Sequence, residues 1–226
     1  IIRKIKRSNK KLNLFKKMRT ETNWLTAFKP LFKKYQNKKH PLEYKNLYQL
    51  MVMVVLSAQD SDKHINKVAP PFFEKYPSMK ELSKATPEDL HEYISTVRNF
   101  GNKSRWLVSL AQTIKEDKNI PKTLEELTAL PGIGRKSANV IISETGGNME
   151  GVIVDLHTMR VAPRLGIADG KTPQKVEKQL MEKISQQYWQ QLGMAITFLG
   201  RETCRPTNPH CEECVMNVVC EYYKNN

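Results

Sequence analysis

Apolar residues recur at intervals of three and four along most of the chain. This spacing predicts helices over residues 47–57, 62–75, 87–97, 103–115, 124–130, 136–145, 156–165 and 173–184. Several of these segments open on a residue suited to capping a helix start: Thr86 before Pro87, Thr123 before Leu124-Glu125-Glu126, and Thr172 before Pro173. Strand-like alternation is scarce. The short run Val152-Ile153-Val154 reads as an extended connector. The pattern is that of an all-α protein. Its longest unbroken apolar run, Leu50 to Leu56, is seven residues, well short of the roughly 18–20 that a membrane-spanning helix needs.

Composition narrows the class. The 226 residues are 39% apolar, with only 10 Gly and 12 Pro. That excludes a disordered or fibrous chain and leaves room for one large domain or two small ones. Charge adds a location. Lys and Arg total 37 against 23 acids, a formal net charge of +14. Residues 1–40 hold 14 of the basic residues and one acid, Glu21, so the remaining 23 basic and 22 acidic residues nearly cancel. The start, IIRKIKRSNKKLNLFKKMR, reads as a basic arm suited to a polyanion. An arm that only aids solubility, or a helix lying on anionic lipid, is the competing reading. The arm lacks the continuous apolar stretch of a secretion signal. The chain opens on Ile rather than Met, so residues before it are expected to be missing.

Four cysteines, Cys204, Cys211, Cys214 and Cys220, crowd the C-terminal end with the spacing C-x6-C-x2-C-x5-C. Two disulfides suit a reducing compartment poorly. Four thiolates on a tail with little apolar material point to a metal that organises it. Zinc accepts four sulfurs, but its usual pattern pairs two close C-x2-C units, whereas one such unit is present. The spacing suits a [4Fe–4S] cluster better. Zinc, disulfides and free thiols stay open on spacing alone.

The middle of the chain carries the second constellation. Leu124, Leu127 and Leu130 form an apolar face that stops at Pro131, and Pro131-Gly132-Ile133-Gly134 makes a tight turn before a second helix. Ile133 is placed to tuck between the two helices. The glycines leave backbone N–H groups free to meet a phosphate at a helix start. An ordinary helical hairpin is the plainer alternative.

The stretch LPGIGRKSANV resembles the helix–hairpin–helix of the endonuclease III family of DNA glycosylases. The family's four-cysteine spacing is also present. Its V-D-x-H segment is matched by Val154-Asp155-Leu156-His157, its L-S-A-Q-x-T-D stretch by Leu56 to Asp62, and Gly200-Arg201 stands before Cys204. The resemblance runs from about residue 47 to 222. It implies two helical domains with double-stranded DNA across the cleft between them: residues 42–150, and a discontinuous unit of 1–41 and 151–226 with a cluster loop at 204–220. It implies a [4Fe–4S] cluster held by the four cysteines, a monomer, a cytoplasmic, nucleoid-associated location and no membrane. The substrate it implies is duplex DNA with damaged bases or abasic sites.

Site roles follow from the same resemblance. Lys136 matches the family's nucleophile. Partial burial and cationic neighbours are expected around it, as an amine that must shed a proton requires. Asp155, at the expected start of a helix, faces the charge that grows on the sugar; a purely capping aspartate is the alternative. Gln59 matches the residue that fills the gap left by an extruded base. Gly132, Gly134 and Arg135 in the hairpin, with Arg201 and Arg205 beside the cysteines, are candidates for the DNA backbone.

The chain also departs from the family. The usual leucine wedge, in a G-[Leu/Phe]-[Tyr/Phe]-x-x-K-A stretch, is replaced by Arg98-Asn99-Phe100-Gly101-Asn102-Lys103-Ser104. Asn99 can hydrogen-bond an orphaned base but cannot wedge by bulk, and Arg98 is placed to reach a phosphate. Leu199-Gly200-Arg201 replaces the family's His-Gly-Arg. The expected activity is a bifunctional glycosylase and abasic-site lyase on oxidised pyrimidines. Its alternatives are a mismatch thymine or uracil glycosylase, a lyase for abasic sites alone, and a non-catalytic DNA-binding protein. His157 receives no role.

Overall fold

A computed structural model describes residues 22–226. The basic stretch 1–20 lies outside the described residues. The apolar run becomes the centre of the molecule. It forms α2 (Leu47–Leu56), capped by the Asn46 side chain, which accepts from the Gln49 amide at 2.9 Å. Every residue from Leu50 to Leu56 is buried. A helix apolar on all sides must be surrounded. The helices packed against it are α3 (Asp62–Lys75), α6 (Phe100–Ile114) and α8 (Arg135–Glu144). Three short helices complete this group: α4 (Met79–Leu82), α5 (His91–Ile94) and α7 (Leu124–Thr128).

A second set of contacts joins the chain ends. α1 (Trp24–Tyr35) packs on α11 (Trp189–Glu202), which packs on α9 (Leu156–Leu165). α10 (Pro173–Lys183) and the short α12 (Glu221–Lys224) both lie against α9. No strand occurs among the described residues. The segment Val152-Ile153-Val154 is a buried connector. It passes so close to Gly193 on α11 that a side-chain carbon there would lie 2.9 Å from Ile153.

The capping predictions hold in detail. Thr86, Thr123 and Thr172 accept from the amides of Asp89, Glu126 and Lys175. One expectation needs correction. The helix predicted over 87–97 is shorter: a 3-10 turn, Glu88–Leu90, runs straight into the single turn of α5, which stops at Ile94. Beyond the stretch read as a basic arm, Phe28, Leu31, Phe32 and Tyr35 form the buried face of α1. Its lysines occupy the opposite, solvent side, so a high local charge conceals an ordinary amphipathic helix.

Candidate active site and cysteine loop

The predicted hairpin turn is rigid for reasons visible in its parts. Gly132 has φ of +79°, and a side-chain carbon there would sit 2.9 Å from the Trp106 ring. Both facts require glycine. Ile133 is buried between α7 and α8, as expected, and its amide donates to Leu130 O at 3.3 Å. Gly134 is the N-cap of α8 and supplies no side-chain cap. Open space surrounds the place where its side chain would be. No side chain caps the first amides of α8.

Lys136 is the second residue of α8, two positions beyond that turn. It is exposed, not partly buried as expected, because side chains in a first helical turn project past the helix end. It lines a hollow of about 40 Å³ together with Asp155, so the structure brings the two candidate catalytic residues to one place. That volume admits a water or two rather than a base. Asp155 is the N-cap of α9. Its Oδ1 accepts from the Thr158 amide at 2.8 Å and its Oδ2 from the Thr197 hydroxyl at 3.2 Å. The capping role is thus real, but it occupies one oxygen and leaves the other turned to Thr197 on α11.

Three further residues of the hollow, His40, Asp62 and Thr197, were not singled out as site residues from the sequence. His40 Nδ1 accepts from the Leu42 amide at 3.1 Å. Burial, joined by the charge of Lys136, holds the His40 pKa below its usual 6.5 against the opposing pull of Glu144 and Asp62. Asp62 pairs with Arg201 at 2.7 Å. The only signal for Asp62 was its place in the quoted Leu56–Asp62 stretch. Thr197 lies just before the departure at Leu199-Gly200-Arg201, and His40 carried no signal at all.

Two of the predicted backbone-binding arginines hold ion pairs with carboxylates of the protein. The Nε of Arg135 meets the buried carboxylate of Glu177 at 2.8 Å, and its Nη2 donates to Glu150 O at 3.3 Å. Arg201, just before Cys204, also lines the hollow with Lys136 and Asp155. Arg205 is exposed, and its carbonyl accepts from Arg164 Nη1 at 2.7 Å. Gln59 and Asn99 are both exposed and both left-handed, each with φ of 60°. Arg98 is exposed beside Asn99, and its amide donates to Asp60 Oδ2 at 3.1 Å. His157 lies against Arg160 Nη2 at 3.2 Å, outside the lining of the hollow.

The four cysteines form no disulfide. Among the described residues no set of three or more His, Cys, Asp or Glu side chains is arranged to hold a metal ion. The thiols are nonetheless neighbours. Burial raises the Cys214 pKa, and Cys204, Cys220 and Cys211 push it the same way. Arg164 stands beneath the loop. Its Nη1 donates to Cys204 Sγ at 3.4 Å and its Nη2 to Pro206 O at 3.1 Å, and its guanidinium covers the Tyr222 ring at 4.6 Å. A set of four soft sulfur donors with an adjoining cation fits an anionic thiolate-ligated cluster in chemistry.

Comparison with known proteins agrees with this geometry. A profile of the HhH-GPD superfamily of base excision DNA repair proteins matches residues 52–186. Endonuclease III of Synechocystis is 34% identical over 211 residues, spanning 92% of this chain and 96% of its own. The chain belongs to the endonuclease III family. Endonuclease III of Bacillus subtilis is 35% identical over 182 residues, covering 79% of this chain and 83% of its own. A solved endonuclease III–DNA covalent intermediate, trapped with an estranged adenine, superposes with a TM-score of 0.81 at 31% identity. It covers 91% of this chain, and 99% of that chain is matched. A thermostable thymine-DNA glycosylase shares the fold, with a TM-score of 0.74 at 18% identity. No helix among the described residues is long and apolar enough to cross a membrane.

Proposed function

We propose that this chain is a bifunctional DNA glycosylase and abasic-site lyase that removes oxidised pyrimidines from duplex DNA. The observation that carries the reading is the shared hollow of Lys136 and Asp155, set two residues beyond a glycine turn with free amides. A backbone phosphate seated on the first amides of α8 fixes the sugar relative to Lys136, so one rigid element both anchors and attacks. Residues 42–150 and the paired ends 1–41 and 151–226 act as two domains, and the duplex crosses the cleft between them. Lys136 and Asp155 come from the opposite sides.

In the first step the unprotonated amine of Lys136 forms a bond to the sugar C1′. The bond from C1′ to the base breaks, and the base leaves with that electron pair and takes up a proton. A duplex lying over the exposed lysine removes its water, the condition under which an ammonium releases its proton. Asp155 stabilises the positive charge that grows at C1′, and Thr197 keeps its outer oxygen in place. Opening of the sugar leaves a Schiff base on Lys136. That makes the C2′ proton acidic, so its loss expels the 3′ phosphate oxygen and cuts the strand. Gln59 and Asn99 enter the gap left by the extruded nucleotide. Arg98 and Arg205 meet phosphates, and the amides at Gly132 and Gly134 do so through the backbone.

Cys204, Cys211, Cys214 and Cys220 hold a [4Fe–4S] cluster. When bound, it ties the loop from 204 to 220 into one body. The base-release and elimination steps move protons and electron pairs without a net electron.

Borohydride trapping tests the assignment. Duplexes carrying thymine glycol, an abasic site, uracil or a G·T mismatch are incubated with the protein and then reduced. The wild type forms a covalent adduct and cuts at thymine glycol and at the abasic site. Lys136→Ala loses both while still binding the abasic duplex. Trapping that persists in Lys136→Ala removes the nucleophile assignment. Cutting at the abasic site alone removes the oxidised-pyrimidine claim and keeps the lyase.

A further inference from the structure

One buried charge takes no part in the chemistry above. Lys103, in the first turn of α6, is 1% exposed. Its ammonium donates to Leu56 O and to Ala58 O, each at 2.7 Å. These carbonyls lie at the end of α2 and in the turn that follows, where helical carbonyls lack partners of their own. The residue after Ala58 is Gln59, with its left-handed backbone and exposed side chain. Holding the Ala58 carbonyl inward turns the chain at Gln59 outward.

The neighbouring loop is tied to the same place. Asp60 Oδ2 takes the Arg98 amide at 3.1 Å, directly before Asn99, while Asp60 Oδ1 takes the Ser61 amide at 2.7 Å and lies 2.8 Å from His64 Nδ1. His64 Nε2 in turn lies 3.2 Å from Thr96 Oγ1. Asn99 is the N-cap of α6 and also left-handed, and its carbonyl accepts from the Lys103 amide at 3.2 Å. A glutamine and an asparagine in this strained region persist only where surrounding bonds enforce it. Here the bonds come from Lys103 on one loop and Asp60 on both.

We propose that Lys103 is a positioning residue that, with Asp60, fixes Gln59 and Asn99 as one rigid pair that enters the duplex together when a nucleotide is extruded. The lysine does not touch DNA. It acts through Gln59, whose backbone turn it sets. The proposal rests on the glycosylase and lyase reading above.

The test compares single-turnover cutting of an abasic site in a duplex with cutting of the same site in a single strand, where no gap has to be filled. Lys103→Met keeps the stem and deletes the ammonium. Its loss on the duplex is about tenfold or more beyond its loss on the single strand. In a Gln59→Ala background the same substitution adds no more than about twofold on the duplex. 2-Aminopurine opposite the site, bright when unstacked, dims with Lys103→Met. Asp60→Asn, which keeps the lysine and weakens the tie to Arg98, shows the same split between substrates and stands in if Lys103→Met does not fold. Equal losses on both substrates, or an undiminished effect in the Gln59→Ala background, overturn the proposal. A wild type that cuts neither substrate would instead remove the reading on which it rests.

Discussion

At the scale of single residues, Asp155 does two jobs with two oxygens, and the jobs can be separated. Oδ1 caps α9 through the Thr158 amide, and Oδ2 accepts from Thr197. Asp155→Asn keeps an acceptor for the cap, and the Thr197 hydroxyl can turn to accept from the new amide. Stability should therefore hardly move, while single-turnover base release falls about 10²-fold or more with the loss of the carboxylate charge. Asp155→Ala loses the cap as well, at a further cost of about 1 kcal/mol in folding free energy. Thermal melting beside the kinetics distinguishes the two. A large drop in melting temperature for Asp155→Asn would make the residue chiefly structural.

The residues of the hollow show how far sequence carries such an argument. Lys136 and Asp155 were legible because each sits in a short motif whose neighbours fix its place. His40 was not. It stands between α1 and α2 without a motif, and only the folded chain brings it to Lys136. Arg135 and Arg201 each hold an ion pair that their motifs did not announce. The first is turned to the buried Glu177, whose second oxygen finds no hydrogen-bond partner among the described residues, and the second to Asp62.

At the scale of elements, the hairpin turn has the narrowest tolerance. Gly132→Ala meets both a left-handed backbone and the Trp106 ring. It should lower stability by roughly 1–3 kcal/mol, read from urea unfolding midpoints. It should also weaken binding to an abasic duplex, because the free amides of α8 move with the turn. Gly134→Ala, with open space at the same point, should cost much less stability. Equal costs for the two would contradict the steric reading. Helices with clear caps and one apolar stripe, such as α3 and α9, were legible to within a residue. α1 was hidden by lysines on its outer face and by Pro30 within it. α11 was hidden because it starts from a 3-10 turn without a side-chain cap and carries two glycines. The helix predicted over 87–97 stops at Ile94, and no proline or glycine marks that end.

At the scale of the whole molecule, ion pairs and a half-buried histidine connect the two groups of helices. Arg201 on α11 meets Asp62 on α3, and Arg135 on α8 meets Glu177 on α10. His40 lies where the groups meet, with its ring edge-on to Tyr44 at 5.6 Å. Burial, with Lys136 acting in the same direction, keeps its pKa below 6.5, and a proton on Nδ1 would break the bond from the Leu42 amide. The unfolded chain therefore takes up more protons than the folded one as pH falls below 6.5. Stability is full above that value and declines below it. Urea midpoints at pH 7.5 and 5.5 should show this decline, and His40→Asn should reduce it. His157, whose pKa burial also lowers, accounts for part of what remains. An unchanged pH dependence in His40→Asn would place the acid-sensitive groups elsewhere.

The packing of α1 on α11 also bears on how the protein is made. A ribosome releases α1 before the other described helices, yet the surface that covers Phe28 and Leu31 lies near residues 189–202. At ordinary synthesis speeds that surface follows roughly ten to thirty seconds later. The helices from α2 to α8 have partners among themselves and can assemble meanwhile. For that interval the apolar stripe of α1 lacks its partner, and the exposed Lys29, Lys33 and Lys34 beside it keep the helix charged and solvated.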